Sequence, residues 1–386
     1  VREVKRITLL ASDLSQNALA RGYLLAEILA RDFEVEIVGT RFGDALWAPA
    51  RSGSIPIHAV AGARWPAYAL RIRELLQRIR GDVVYAIKPL PASFGVALLD
   101  RVRSGRPVVL DVDDDELAFR PPAMLRRPRG FAESVGHPNG RYWAGRAIGR
   151  IPLADAVTVA SRGLQRRFGG VLVPHAKDTE RLRPRPECRD AAKARLGVAG
   201  RRVVMFMGTP RVHKGIEDVA DAVPRLRNDA VFVVAGADPA DGYVRALMDR
   251  FPAVVFHPPY ALEEGPFLLQ GADAVVVPQR LRAESAVQMP GKLLEAMAMA
   301  KPIVSTAVSD IPEVLAEGRG HVVPPADPAA IAAALDRIFD SPEEAERMGL
   351  RARRWCVENA SYDSTRETLR RVMTDALAAA EPRRSR

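Results

Sequence analysis

Short runs of β-branched and apolar residues alternate with amphipathic segments of helical period almost from end to end of this 386-residue chain. Such a pattern folds into parallel sheets: strands covered on both faces are apolar throughout, and parallel neighbours need a crossover helix between them. The first series of strands reads RITLLAS (6–12), VEIVG (35–39), IPIHAV (55–60), DVVYAI (82–87), PVVLDV (107–112), AVTVAS (156–161) and VLVPH (171–175). Helices are expected between them at 17–31, 66–80, 92–103 and 141–152. Residues 176–190 are polar and hold Pro184 and Pro186, which reads as an interdomain linker. The alternation then restarts with RVVMFMG (202–208), VFVVAGA (231–237), AVVFHPP (253–259), DAVVVP (273–278), KPIVST (301–306) and GHVVPP (320–325). Helices fall at 214–227, 241–250, 261–270, 291–300 and 327–339, followed by a helical, arginine-rich tail over 342–379. The expectation is an α/β chain of two Rossmann-like domains, with ligands at the carboxyl ends of the strands, in a cleft between the two.

Composition excludes several alternatives. Two cysteines, Cys188 and Cys356, make no disulfide scaffold, and the six histidines are too scattered for a local zinc site. No apolar run approaches the roughly 18–20 residues of a membrane span, and the apolar stretch near the start stops at Ser12-Asp13, short for a signal peptide. A cytoplasmic protein is expected. The net charge is +10, but only seven of the 57 cations are lysine, which suggests a preference for arginine codons and makes the basic balance weak evidence of a polyanionic partner.

Two segments carry chemistry. In MFMGTPRVHKGIEDVADAV (205–223) a strand ends at Gly208, a loop presents Arg211, His213 and Lys214, and a helix begins near Gly215. A glycine that lets backbone approach, a helix N-terminus and two cations together suit a diphosphate. The segment is not a Walker loop, and alone it reads equally as a solvated turn. In MPGKLLEAMAMAKPIVST (289–306) a Pro-Gly helix start places Lys292 and Glu295 one turn apart on one face. Lys292 suits a phosphate and Glu295 the two hydroxyls of a ribose; a plain surface ion pair is the alternative.

Together, in this order and about 80 residues apart, the segments resemble the donor-binding half of retaining GT-B glycosyltransferases of family 4. That family carries a G-R-x-x-x-x-K-G loop and an E-x7-E helix close to EAMAxGxPVV, which LEAMAMAKPIVST resembles. VLVPHAKDTERLRP is similar to its interdomain VIPNGVDxxxFxP, so the resemblance spans most of the chain. It implies an N-terminal acceptor-side domain over 1–180, a nucleotide-sugar donor domain over 181–360, and a helix over 361–386 returning to the first. It also implies a hexosyltransferase-like enzyme of bacterial-type glycan biosynthesis. Such an enzyme moves a sugar from a nucleotide diphosphate sugar to an unknown acceptor hydroxyl with retention, using no metal and no cofactor beyond that co-substrate. Arg211 and Lys214 are implied to stabilise the departing diphosphate and Glu295 to hold the ribose. Gly208, Thr209, Pro290, Gly291, Lys292 and Leu293 are implied to line the donor, with Tyr260 near the nucleobase.

The chain departs from the family at three points. Thr209 replaces the first arginine, leaving Arg211 to serve. Val287 stands where the first acid of E-x7-E belongs, and Glu284 substitutes only if 285–290 bulges. The N-terminal glycine-rich loop is Asp13-Leu14-Ser15-Gln16-Asn17, so contacts there fall to side chains such as Gln16 and Asn17. The acidic run Asp111–Glu116 suggests acceptor binding by Asp113 or Asp114 rather than a metal, with a solvated, N-capping turn as the plain alternative.

Charge divides unevenly: residues 1–180 carry a balance of +8, and 120–167 alone hold ten arginines. A lipid-linked, glycan or small-molecule acceptor is therefore expected, with peripheral contact at the inner face of a membrane. For the basic helix 64–80, packing on the first sheet is the preferred reading. A nucleotide-sugar epimerase or sugar phosphorylase of the same fold is the alternative function. Nucleic-acid binding is remote, because no basic stripe with interleaved aromatics is present.

Overall fold

The computed structural model describes residues 3–51, 53–120, 122 and 128–384; Arg126 and Arg127 of the arginine-rich stretch lie outside these. The chain forms two compact units, one of Val1–His175 with Thr365–Arg386, the other of Ala176–Ser364.

The first unit is built on seven parallel strands: β1 (Arg6–Ala11), β2 (Glu34–Arg41), β3 (Ile57–Ala61), β4 (Val83–Ile87), β5 (Val108–Val112), β6 (Ala156–Val159) and β7 (Val171–Leu172). Their order across the sheet is β3-β2-β1-β4-β5-β6-β7. This is the doubly wound order, in which the winding reverses beside β1 and the strand ends open on either side of β1 and β4. Strands β4 and β5 are buried at every residue, as central strands covered on both faces must be. The basic helix Tyr68–Arg78 turns inward: Tyr68 and Leu75 are buried, and the Tyr68 hydroxyl lies 2.8 Å from the Thr40 hydroxyl of β2.

The second unit repeats the order on six strands, β8 (Val203–Met207), β9 (Val231–Ala235), β10 (Val255–His257), β11 (Ala274–Val277), β12 (Ile303–Thr306) and β13 (His321–Val323), arranged β10-β9-β8-β11-β12-β13. Alternate residues of β8 feed two cores. Val203, Met205 and Met207 meet the helix Gly291–Ala298, while Val204 and Phe206 meet the helices Ile216–Ala222 and Pro328–Asp340.

The thirteen strands are those read from the sequence, although β7 stops at Leu172. Four short helices, Pro128–Gly136, Arg162–Phe168, Arg189–Arg195 and Ile311–Val314, escaped that reading. In the polar segment after β7, Lys177 pairs in parallel with Ser361: its N–H donates to Ala360 O at 2.8 Å and its carbonyl accepts from Tyr362 N at 3.0 Å. No helix among the described residues is long and apolar enough to cross a membrane.

Candidate functional site

At the carboxyl edge of the second sheet, β8 ends in Gly208, whose φ of 122° a side chain rarely adopts. Its N–H donates to Ala235 O at 2.8 Å, and a Cβ on the next strand's Gly236 would meet the Gly208 carbonyl at 3.2 Å. A Cβ on Gly208 itself would lie 3.6 Å from Lys292 Cε and 4.0 Å from Lys214 Nζ. Two ammonium-bearing side chains thus flank bare backbone.

Lys214 closes a single 3₁₀ turn, Val212–Lys214, and Gly215 follows in the left-handed region at φ 62°. A Cβ at Gly215 would fall 2.1 Å from Pro278 O, so the loop is seated against the end of β11. Arg280 secures it, its N–H donating to His213 O and its guanidinium gripping Asp218 at 2.7 and 2.9 Å. The Lys214 ammonium donates to Thr209 O at 2.8 Å, and among the described residues no carboxylate lies within ion-pair distance of it. Burial, and then the like charges of Lys292 and Arg211, push it down to about 8.

The helix Gly291–Ala298 starts at Pro290, whose carbonyl accepts from Leu293 N, and Leu293 anchors the turn in the core. The first amides of this helix, at Gly291 and Lys292, have no partner within the helix. Lys292 and Glu295 pair across one turn, Nζ to Oε2 at 2.9 Å. The other carboxylate oxygen holds Lys177, Nζ to Oε1 at 3.0 Å. Burial alone raises a carboxyl, but Lys177 and Lys292 outweigh it and hold Glu295 at about 2. Tyr260 is half-buried against the same core, its ring centroid 6.2 Å from that of His257, and burial raises its hydroxyl.

Gly208, Thr209, Lys214, Lys292 and Glu295 are therefore brought together, with Pro290, Gly291 and Leu293 supporting them. Arg211 faces elsewhere, its guanidinium on Asp241 at 2.9 Å and on Pro210 O. Glu284 lies within electrostatic reach of His213, in a tight turn where Ser285 Oγ donates to Arg280 O at 2.6 Å.

In the first unit the acidic run is not a solvated turn, because a carboxylate row at buried strand ends demands cations. Asp111 is fully buried and takes a bidentate pair with Arg21 at 2.9 and 3.0 Å, while Asp113, Asp115 and Glu116 are also buried. Lys88, in the left-handed region at φ 71°, places its ammonium 2.9 Å from Asp113, 3.0 Å from Asp114 and 2.8 Å from Glu116. These three carboxylates offer oxygens within 4.8 Å of one another, a spacing that suits a metal, yet they converge on an internal ammonium. Burial raises Asp113 to about 7 against the pull of Lys88, with Asp114 and Asp111 adding to the rise. Gln16 and Asn17 are exposed, their carbonyls receiving Leu19 N and Ala20 N at the start of the helix Leu19–Leu29.

Sequence reasoning missed Lys177, Lys88, Arg21 and Arg280, each of which acts on a residue far along the chain. Lysine scarcity was the one available signal for the first two.

Residues 201–341 match the family model described as Glycosyl transferases group 1. A GDP-mannose-dependent α-(1-6)-phosphatidylinositol monomannoside mannosyltransferase of Mycolicibacterium smegmatis is 30% identical over 255 residues. The chain resembles the group 1 glycosyl transferases, the family model matching part of its second unit. That alignment covers 60% of this chain and 66% of the mannosyltransferase, so the chain spans just under two thirds of that relative. An MMP α-(1→4)-mannosyltransferase of Mycolicibacterium hassiacum is 28% identical, covering 81% of this chain and 75% of its own. The fold is similar to that of HepE from Anabaena, solved with UDP-glucose: TM-score 0.75, 17% identity, 96% of this chain and 100% of that one.

Proposed function

We propose that this chain is a group 1 glycosyl transferase that moves a sugar, with retention and without a metal, from a nucleoside diphosphate sugar to an acceptor hydroxyl. The observation that carries the reading is the Lys214 ammonium, short of a carboxylate and crowded by Lys292 beside the bare backbone of Gly208. Such a site lowers its own electrostatic cost by taking an anion, and a diphosphate gathers charge as the sugar departs. The free amides at Gly291 and Lys292 add donors where a helix dipole favours negative charge. Glu295, kept ionised, accepts from ribose hydroxyls. Arg211 joins only by leaving Asp241, so Lys214 and Lys292 are the principal cations. Among the acceptor-side residues, Asp114 is the most exposed carboxylate of the Lys88 cluster, at 20%, and the one we assign to acceptor contact.

The M. smegmatis relative is named for GDP-mannose and HepE was solved with UDP-glucose, which makes GDP and UDP the first nucleotides to test. In a thermal-shift panel with ADP and dTDP, one nucleotide raises the melting temperature, and the corresponding sugar nucleotide supports transfer. K214A removes turnover; near-normal activity in that variant overturns the assignment. Activity persists in EDTA, and the product's anomeric proton signal keeps the donor's configuration. Incubating donor without acceptor leaves it unchanged, whereas an epimerase converts it.

A further inference from the structure

We propose that Lys177 is a positioning residue of the nucleotide site, fixing the carboxylate of Glu295 so that a ribose 2′-hydroxyl is recognised. This rests on Glu295 being the ribose-holding group. A carboxylate has about four acceptor directions, two on each oxygen. Lys292 takes one on Oε2 and Lys177 one on Oε1, at 2.9 and 3.0 Å. One direction remains on each oxygen, and a vicinal diol offers one hydroxyl to each.

The two lysines reach Glu295 in different ways. Lys292 rides on the same helix, so it constrains the carboxylate from one side only. Lys177 comes from a remote segment whose backbone is clamped at both its N–H and its carbonyl, by Ala360 and Tyr362. Its side chain is mostly buried, with 13% exposed. Lys177 therefore acts as an external brace, set by main-chain bonds that do not involve Glu295. Without it, the carboxylate swings toward Lys292 and presents both oxygens to one ammonium. The second cation also keeps Glu295 an acceptor on both oxygens, since a protonated acid offers a donor to one of the hydroxyls.

Because the clamp is main-chain, Lys177→Met removes the ammonium and leaves the segment in place. The test measures dissociation constants of ADP, GDP and UDP and of their 2′-deoxy counterparts, by calorimetry, for the wild type, K177M and K177R. The wild-type protein is expected to prefer the ribonucleotide by about tenfold or more, the worth of one hydrogen bond to a charged group. K177M is expected to bring the two forms to within about twofold, and K177R to restore part of the preference. A purely structural Lys177 would weaken both forms together and keep their ratio. Should K177M melt well below the wild type, K177Q is read in its place, its shorter, uncharged side chain losing the ratio in the same way.

A wild-type protein that binds none of the three, or binds ribo and deoxy forms equally, removes the ribose role of Glu295 and the inference with it. A wild-type preference that survives intact in K177M or K177Q overturns the role of Lys177 alone and leaves Glu295 as the ribose ligand.

Discussion

Six of the seven lysines in this arginine-rich chain are buried or half-buried, and each meets a carboxylate or a main-chain oxygen. A compact ammonium fits where a planar guanidinium does not, so lysine persists at such points against the drift toward arginine. Lys214, like Lys301, meets only main-chain carbonyls. Its ammonium sits at about 8 rather than 10.5, as that of Lys301 does, so the folded protein gives up these protons before the unfolded chain. Burying it charged costs stability below pH 8, and that cost disappears as pH rises from 8 toward 10.5, where the unfolded chain binds more protons. Nucleoside diphosphate affinity should move the opposite way, falling as pH rises past 8; titrations at pH 7 and pH 9 read it, and K214R should flatten the difference. The Arg21–Asp111 pair makes a separate prediction. D111A leaves a buried guanidinium short of its carboxylate, at a cost of about 3–5 kcal/mol. Urea unfolding followed by tryptophan fluorescence should show it, since Trp47, Trp65 and Trp143 all lie in the first unit.

Among the elements, the helix Gly291–Ala298 links packing to chemistry. Its small residues allow close approach, and Ala296 and Ala298 are buried in the core beside Ala352, Cys356 and Ala360 of the helix Pro342–Ala360. Just past the end of Gly291–Ala298, a Cβ at Gly349 would stand 2.1 Å from Ala300 O. G349A must push the two helices apart, costing about 1–3 kcal/mol by overpacking and displacing Glu295 from its lysines. A lowered melting temperature with a raised donor KM is the expected outcome. The strands and these helices were legible because apolar runs and period-3.6 stripes are local. Lys177 was not, because its partner is 118 residues away and no local pattern marks a brace. The acidic run misled for the same reason: its neutralising groups, Arg21, Lys88 and Arg167, are distant in sequence. The short helix Arg162–Phe168 was hidden differently, inside an arginine-rich stretch with little apolar periodicity to reveal it.

At the scale of the whole molecule, both sheets use one winding order, and the chain visits the first unit twice. The second unit holds its own two cores and the Lys214–Lys292–Glu295 group entire. Residues 176–364 expressed alone should therefore fold and bind a nucleoside diphosphate within about tenfold of the full chain; an unfolded fragment by circular dichroism would count against that autonomy. The pairing of Lys177 with Ser361 has a mechanical consequence. The stretch of chain between them enters and leaves the second unit through adjacent, hydrogen-bonded points. A pull applied at residues 3 and 380, both in the first unit, loads the second through the chain at that short bridge. In a single-molecule stretching experiment the first unit should give way before the second, which stays folded until its two main-chain bonds at Lys177 shear.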